Sequence, residues 1–203
     1  MSLSETFIEI YSKNGWGSSE SLSGSGSELK NTVVLRKELA YLLLKYEIKS
    51  ILDIPCGDFN WMKEVDLSSI EYYGADIVKS LIDNNKQQYS NITFDVLDIT
   101  KDVLPKVDLV FTRDLFGHFS DENIFSALKN IKLSGSKYLL ATSFTKWSDN
   151  PNIKDGGWKC INLMIKPYYL KPIYLINENC MEGYPNYNDK CMLLFELNNL
   201  CSF

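Results

Sequence analysis

Charged and polar side chains follow four hydrophobic segments of the chain, at the point where each segment ends. The first has the sequence ILDIPCGDFNW (residues 51–61) and passes from apolar residues into an acid and a single-glycine turn. If these segments are parallel strands, their carboxyl ends meet at the edge of the sheet where such folds bind ligands. The residues at these ends are Asp53, Pro55, Cys56, Gly57 and Asp58 in the first segment, Asp76 in the second, Asp98 in the third, and Thr112, Arg113, Asp114 and His118 in the fourth.

The spacing of these acids indicates a nucleoside site. Asp76 lies 23 residues after Asp53, at the end of the next segment, which suits a carboxylate that accepts both hydroxyls of a ribose. Asp98 ends the third segment and can accept a hydrogen bond from an exocyclic amine such as that of adenine. Each acid also has a structural alternative, because aspartate is common in turns and helix caps.

The alternation of strand and helix patterns predicts how these residues are positioned. Strand patterns occur at residues 49–56, 71–78, 92–99, 107–116 and 137–144, and helical patterns occur between them at 60–66, 79–89 and 120–135. This alternation predicts an α/β fold with a doubly wound, mostly parallel sheet. Two more strands, at 172–181 and 189–198, are too close in sequence for a crossover helix. We therefore expect a seven-stranded sheet that ends in an antiparallel C-terminal hairpin.

The N-terminal region contains helical patterns at 4–14 and 27–48 on either side of a Gly/Ser-rich segment. Nine of the eleven residues from Gly17 to Ser27 are Gly or Ser, which is typical of a flexible linker. Alternatively, this segment is a lid that closes over a ligand, with Trp16 as its anchor and its N–H groups available to a phosphate. We divide the chain into this N-terminal region, 1–47, and a ligand-binding domain, 48–203.

Composition argues against several classes of partner. The net charge is −5 and the chain has no basic run, which disfavours nucleic acid. Five cysteines without a C-x-x-C and a single histidine do not make a zinc site, and they are typical of reduced thiols in the cytoplasm. No apolar run approaches the length of a membrane span. We expect a cytoplasmic protein without a metal, membrane or nucleic-acid partner.

The order and spacing of the motifs resemble those of class I S-adenosylmethionine-dependent methyltransferases over about residues 30–200. ILDIPCGD resembles the family's first motif beneath the methionine part of the cofactor, YYGADI the loop that holds the ribose, and FDVLDIT the loop beside the adenine. The C-terminal hairpin resembles the family's antiparallel seventh strand. The resemblance implies S-adenosylmethionine as cofactor, bound by Asp53, Pro55, Cys56, Gly57, Asp58, Trp61, Asp76, Ile77, Leu97, Asp98, Ile99 and Arg113.

The first motif departs from the three glycines that are usual in this family. Pro55 and Phe59 occupy the outer two places and only Gly57 remains. Loss of glycine narrows the space for a pyrophosphate more than for a methionine tail, so the variant D-x-x-C-G-D disfavours NAD. One alternative function is a nicotinamide-dependent oxidoreductase, which requires the G-x-G-x-x-G turn that is missing here. The other is a non-catalytic module that binds S-adenosylmethionine and works through protein contacts.

The fourth strand and the irregular segment 145–171 bear on the methyl acceptor. TRDLFGHFS replaces the Asn/Asp-Pro-Pro-Tyr motif of nucleobase methylases, which disfavours a base-flipping enzyme. A hydroxyl acceptor is helped by a general base, for which His118 is the candidate and Asp114 its orienting partner; alternatively, His118 only packs or caps a helix. We predict a small polar acceptor methylated at oxygen, such as a sugar, a sugar nucleotide or another phosphorylated metabolite. The predicted acceptor-binding residues are Trp16, Trp158, Asn162 and Arg113, unless Arg113 pairs with a neighbouring acid.

Overall fold

A seven-stranded sheet forms the centre of the computed structural model, which describes residues 1–183 and 186–199. Residues 184–185, in the predicted hairpin connection, and 200–203, at the end of the predicted second domain, lie outside that description. The strands are β1 (Ser50–Asp53), β2 (Glu71–Asp76), β3 (Thr93–Val96), β4 (Leu109–Thr112), β5 (Tyr138–Phe144), β6 (Tyr174–Asn177) and β7 (Lys190–Glu196).

The strand order across the sheet is β3-β2-β1-β4-β5-β7-β6. The first five strands pair in parallel, and Asp53 at the end of β1 lies between Gly74 of β2 and Phe111 of β4. Strand β7 runs antiparallel to both β5 and β6. The predicted parallel sheet with an antiparallel C-terminal hairpin is therefore confirmed. Strands β2 and β3 lie on one side of β1, and β4 lies on its other side, so the strand order reverses between β1 and β4. A ligand site is expected at the carboxyl ends of the strands at this point.

Helices cover both faces of the sheet, as the doubly wound prediction requires. The described α-helices are α1 (Leu3–Ser12), α2 (Val33–Lys45), α3 (Lys79–Gln88) and α4 (Asp121–Leu133). Helices α2 and α3 share one core with Ile51, whereas α4 shares the other core with Leu52. This division follows from the alternation of side chains along a strand. None of the helices within the described residues is long and apolar enough to cross a membrane.

The irregular segment 145–171 packs against the N-terminal end of α4. Ser120 is the N-cap of this helix, as predicted, because its Oγ accepts a hydrogen bond from the backbone N–H of Asn123 at 3.4 Å. The Ser120 N–H in turn donates to the Asp155 carboxylate at 2.8 Å. The buried Lys159 ammonium contacts the Asp121 carboxylate at 2.7 Å. These contacts fix the segment that carries Trp158 at the edge of the sheet where the ligand site is expected.

Several predicted elements are longer than the observed ones. The third strand ends at Val96, because Asp98 begins a turn by accepting the N–H of Thr100 at 3.0 Å. The fourth strand ends before Asp114, whose φ of +57° redirects the backbone. The pattern at 60–66 forms only a 3₁₀ turn, Met62–Glu64. Helix α2 begins at Val33 rather than at residue 27.

Candidate active site

The turn after β1 is held by backbone hydrogen bonds from both sides of the loop. The Cys56 N–H donates to the Ala75 carbonyl at 2.7 Å, and the Gly57 N–H donates to the Asp76 carboxylate at 3.3 Å. The side-chain amide of Asn85 on α3 donates to the Gly57 carbonyl at 2.8 Å. Gly57 has a φ of +54°, and a Cβ there would lie 2.1 Å from Ser23 Oγ. The single glycine of the motif is therefore required at this position.

The missing third glycine is replaced by a buried aromatic ring. Phe59 adopts a φ of +56°, a conformation that costs a non-glycine residue about 1–2 kcal/mol. Its side chain is buried and points into a cluster of rings, with centroids 5.2 Å from Tyr72, 5.1 Å from Tyr89 and 5.4 Å from Phe94. Burial of an aromatic side chain stabilises by a comparable or larger amount. Residue 59 therefore keeps the left-handed backbone conformation that a glycine would adopt, although it is a phenylalanine.

A cleft of about 1050 Å³, its open mouth included, lies at the carboxyl ends of β1, β2 and β4. All of the residues that the family resemblance implies for the cofactor line this cleft. The sequence reasoning missed the outer wall, which α1 and the residues after β4 provide. The apolar side of the predicted N-terminal helix was the available signal for part of this wall. The additional wall residues are Leu3, Phe7, Tyr11, Leu115 and Phe119.

Two buried carboxylates, Asp53 and Asp76, form the polar floor of the cleft. Burial raises the pKa of Asp53 to about 8, although the Tyr72 hydroxyl donates to its carboxylate at 2.5 Å and opposes this rise. Burial likewise raises the pKa of Asp76 to about 6, opposed by the N–H groups of Val78 and Gly57. A cationic ligand would favour the charged form of both acids. The floor is thus suited to a ligand that has both a positive charge and hydroxyl groups.

Asp98 lines the cleft but uses part of its carboxylate within its own loop. Its Oδ1 accepts hydrogen bonds from the N–H and hydroxyl of Thr100 at 3.0 and 2.6 Å, and its Oδ2 lies 3.1 Å from the Lys101 ammonium. The turn alternative is therefore realised in part. The neighbouring side chains Leu97 and Ile99 supply apolar surface to the same part of the cleft.

Asp58 holds the Gly/Ser-rich segment against the turn after β1. Its carboxylate accepts hydrogen bonds from the Ser21 hydroxyl at 2.9 Å, the Leu22 N–H at 2.8 Å and the Ser23 hydroxyl at 3.3 Å. The Asp58 N–H in turn donates to Ser23 Oγ at 3.2 Å. Both carboxylate oxygens are engaged, so this side chain positions the segment; Asp58 also lines the cleft, and its predicted cofactor contact stays a prediction. The segment, residues 17–27, covers one side of the cleft.

Replacing Asp58 with alanine is expected to loosen the Gly/Ser-rich segment while the sheet stays intact. Three hydrogen bonds from Ser21, Leu22 and Ser23 would be lost together. Cleavage by a Glu-specific protease after Glu20 should then become at least about fivefold faster, because cleavage requires local opening. The control is Asp66→Ala, whose carboxylate caps only the nearby Ser68. Equal cleavage rates in the two variants would show that Asp58 does not hold the segment.

A second cavity of about 640 Å³, its open mouth included, lies beside the cleft and shares part of its wall. The side chains common to both are Trp16, Ser23, Asp114 and His118. The remaining lining of the second cavity comprises Gly24, Ser25, Gly26, Trp158, Glu182 and Tyr187. The structure thus brings together Trp16, Trp158 and His118, which the sequence reasoning assigned to the acceptor and to catalysis. Glu182 and Tyr187, between β6 and β7, were missed because no motif marks them.

His118 lies between two indole rings at the junction of the two cavities. Its ring centroid is 4.3 Å from that of Trp16 and 4.8 Å from that of Trp158. Its Nδ1 lies 2.6 Å from the Gly157 carbonyl; because a carbonyl oxygen only accepts, Nδ1 carries the proton and the neutral ring has its lone pair on Nε2. Burial lowers the pKa of His118 below its usual value. The ring is therefore neutral at pH 7 and able to accept a proton.

The Gly157 carbonyl, and not Asp114, orients His118. Asp114 Oδ2 contacts the Lys190 ammonium at 2.6 Å and the Arg113 guanidinium at 3.3 Å. Burial alone would raise the pKa of Asp114, but Lys190 and Arg113 hold it at about 2. Throughout the described residues, Asp114 makes no hydrogen bond to His118, so the structure does not show the contact that the predicted orienting role requires. Asp114 Oδ1 is buried and without a hydrogen-bond partner in the same part of the chain.

Arg113 is buried and already paired, so it is not available to an anionic acceptor. Its Nε and Nη2 donate to Glu178 Oε2 at 3.2 and 2.6 Å, and its guanidinium carbon lies 5.6 Å from the centre of the Trp61 ring. Of the two roles that the sequence left open, the structure shows pairing with acids. Arg113 still lines the cleft, and it fixes the relative position of β4 and the residue that follows β6.

Asn162 does not line either cavity, in contrast to the prediction that it binds the acceptor. It is buried, and its amide donates to the carbonyls of Trp147 at 2.8 Å and Thr145 at 3.4 Å. Its side-chain oxygen accepts the N–H of Met164 at 3.0 Å, and its own N–H donates to Asn150 at 2.8 Å. These bonds satisfy backbone groups of the irregular segment, so Asn162 has a structural role.

Comparison with known proteins agrees with this architecture. No family model matches the chain. In an alignment of 125 positions that covers 56% of the chain, it is 29% identical to phosphoethanolamine N-methyltransferase 1 of Zea mays, and the matched part is about a quarter of that protein's length (25%).

Two solved structures share the fold along almost the whole chain. One is an S-adenosylmethionine-dependent methyltransferase from Clostridium acetobutylicum, with a TM-score of 0.62, 11% identity and coverage of 95% of this chain and 98% of that one. The other is human N-acetylserotonin methyltransferase in complex with its cofactor, with a TM-score of 0.61, 14% identity and coverage of 97% and 60%. The chain therefore has the fold of these S-adenosylmethionine-dependent methyltransferases, and part of its sequence is similar to a methyltransferase.

Proposed function

We propose that this chain transfers a methyl group from S-adenosylmethionine to a small polar acceptor that binds in the second cavity. The observation that carries this proposal is the shared wall of the two cavities, where His118 and Asp114 face both. A cofactor in the cleft and an acceptor in the second cavity would meet at this wall. Methyl transfer requires mainly such proximity and alignment, because the donor is already activated.

The residues of the cleft fit S-adenosylmethionine. The buried carboxylates of Asp53 and Asp76 match the cationic and hydroxyl groups of the cofactor, and the apolar side chains of Ile77, Leu97 and Ile99 match its adenine. When bound, the cofactor supplies an electrophilic methyl group whose bond to sulfur breaks with the electron pair left on sulfur. The chain's own residues then have three tasks, which are to hold both ligands, to exclude water and to accept a proton.

His118 Nε2 is the proton acceptor in this proposal. Its neutral form and its Nδ1–H bond to Gly157 leave Nε2 free at the junction of the cavities. The surrounding Trp16 and Trp158 rings restrict the imidazole and limit the access of water. A general base of this type contributes about 10²- to 10⁴-fold to the rate.

The sequence predicts that the acceptor atom is an oxygen and that the acceptor is a sugar, a sugar nucleotide or another phosphorylated metabolite. The pairing of Arg113 with Glu178 removes the cation that supported a phosphorylated acceptor. A nitrogen acceptor is the second candidate. It is supported by the matched Zea mays protein, which is an N-methyltransferase by name, and it is compatible with the same base.

Calorimetry with S-adenosylmethionine tests the cofactor directly. We expect binding in the micromolar range, and a loss of about 10- to 100-fold in affinity for Asp76→Ala because a charge-assisted hydrogen-bond acceptor is removed. The matched control is Asp95→Ala, whose side chain is 67% exposed on β3. An absence of binding at millimolar cofactor would contradict the proposal. Binding of NADH, followed by its fluorescence, would instead favour the oxidoreductase alternative.

The affinity for S-adenosylmethionine is expected to increase with pH between about 5.5 and 8.5. In the free protein, burial raises the pKa of Asp53 to about 8 and that of Asp76 to about 6. Each acid attracts a cationic ligand only after it has lost its proton. The affinity is therefore lower at low pH and increases as the two acids ionise. Calorimetry across this pH range measures the effect, and Asp53→Asn should flatten the part near pH 8. An affinity independent of pH in the unmodified protein would contradict this electrostatic role.

A further inference from the structure

Three aromatic side chains surround the second cavity and define what we call the aromatic chamber: Trp16, Trp158 and Tyr187. The Trp158 and Tyr187 ring centroids lie 6.1 Å apart, and the Trp158 indole N–H donates to the Tyr187 hydroxyl at 3.0 Å. Trp16 faces Trp158 across the His118 ring. The rings are therefore held in place by contacts with one another. Faces of tryptophan and tyrosine rings attract cations.

The charges that line the aromatic chamber are negative. Glu182 and Asp114 line it, whereas no lysine or arginine of the described residues does. Glu182 accepts a hydrogen bond from the Ser25 hydroxyl, and its other oxygen lies 3.9 Å from the Lys190 ammonium. His118 adds no positive charge at pH 7, because burial lowers its pKa.

An ion cluster beneath the aromatic chamber contains, among the described residues, one more carboxylate than cations. Arg113 and Lys190 are its two cations, and Asp114, Glu178 and Glu182 are its three carboxylates. The side chains of Glu182 and Asp114 are 28% and 24% exposed, whereas the other three are buried. The surplus negative charge therefore lies at the wall of the chamber, where a ligand can reach it. A ligand that brings one positive charge would balance this surplus.

We propose that the methyl acceptor is a small amine that binds as an ammonium ion in the aromatic chamber. This assignment rests on the proposed methyl transfer and specifies its substrate class. The rings and the Glu182 and Asp114 carboxylates recognise the cation, and the ammonium transfers one proton to His118 Nε2, which leaves a neutral amine with a free lone pair. A phosphorylated acceptor would face the same two carboxylates, and the nearby Lys190 ammonium is already paired with Asp114 at 2.6 Å. A neutral sugar would leave the surplus charge unbalanced.

Three compounds with the same cyclohexane ring and different polar groups test the sign of the charge that the chamber selects. Cyclohexylamine, cyclohexanol and cyclohexanecarboxylate carry charges of about +1, 0 and −1 at pH 7.5. Their binding to the full chain, saturated with S-adenosylhomocysteine, is measured by the change in tryptophan fluorescence. We expect the amine to bind at least about tenfold more tightly than the alcohol, and the carboxylate to bind most weakly. Glu182→Gln should reduce the preference for the amine severalfold, whereas Glu122→Gln, on the exposed surface of α4, should not.

The outcomes separate this inference from the proposed function. Equal binding of the amine and the alcohol, preferred binding of the carboxylate, or absence of amine binding at tens of millimolar would overturn the amine assignment. Calorimetry with S-adenosylmethionine on the same samples reports on methyl-donor binding independently. A protein that binds the cofactor but does not prefer the amine would retain the proposed function and lose only the substrate class.

Discussion

Replacing His118 with asparagine is expected to lower the turnover number by about 10²- to 10⁴-fold and to change the affinity for S-adenosylmethionine by less than about twofold. The asparagine amide can still donate to the Gly157 carbonyl, which His118 Nδ1 contacts at 2.6 Å. The variant therefore keeps the positioning bond and lacks only the basic Nε2. Initial rates with the acceptor and calorimetry with the cofactor measure the two quantities separately.

The pH profile distinguishes a base from a packing residue. Burial lowers the pKa of His118, so with saturating S-adenosylmethionine at every pH the wild-type rate should fall only as the pH drops below about 6.5, where the imidazole becomes protonated. This acid limb should be absent from the small residual rate of His118→Asn. The conservative control is Trp158→Phe, which keeps an aromatic ring beside the imidazole and should keep the limb. Unchanged turnover in His118→Asn would assign His118 to packing between Trp16 and Trp158.

The residues that could be predicted from sequence are those whose position depends on one strand and its turn. Asp53, Gly57 and Asp76 follow directly from strands, and parallel strands bring their carboxyl ends to the same edge of the sheet. Their arrival in one cleft is a consequence of topology alone. The helix that begins after Ser120 could be predicted for the same reason, because its cap is local.

The residues whose partners could not be identified from sequence bind groups that are distant along the chain. Asp58 contacts Ser21 and Leu22, 37 and 36 residues away, and Arg113, for which the sequence left two roles open, pairs with Glu178, 65 residues away. A polar side chain at the end of a strand can face a ligand or satisfy a loop, and its residue type is the same in both cases. Asn162 is an example at shorter range, since its amide donates to backbone carbonyls 15 and 17 residues away in its own segment. Only the tertiary structure separates these two roles.

The Gly/Ser-rich segment connects the two halves of the proposed site. Near its middle, Ser21 and Ser23 bind Asp58 beside the cofactor cleft. Toward its end, Ser25 donates to Glu182 in the aromatic chamber. We propose that the segment acts as a lid over both ligand sites, because opening it would break its contacts beside the cofactor cleft and in the aromatic chamber. Small residues allow this close approach, as the 2.1 Å separation of a Gly57 Cβ from Ser23 Oγ illustrates.

Replacing Arg113 with methionine is expected to reduce the free energy of unfolding by about 3–5 kcal/mol, the largest effect on stability that we predict. The guanidinium is buried and binds Glu178 through Nε and Nη2 at 3.2 and 2.6 Å. Glu178 is itself buried, and its Oε1 has no hydrogen-bond partner among the described residues. Without Arg113, the buried Glu178 carboxylate would lose the ion pair that it makes within the described residues. Urea denaturation followed by circular dichroism measures the loss.

Two further variants separate this cause from a simple change of volume. The double variant Arg113→Met with Glu178→Met removes both charges, so it should recover a large part of the stability that the single variant loses. Lys86→Met breaks an exposed pair with Asp95 at 3.4 Å and should cost less than about 1 kcal/mol. If Arg113→Met were no more destabilising than Lys86→Met, the Arg113–Glu178 pair would not hold the hairpin to β4. Another interaction would then have to hold the charged side chains beneath the aromatic chamber in place.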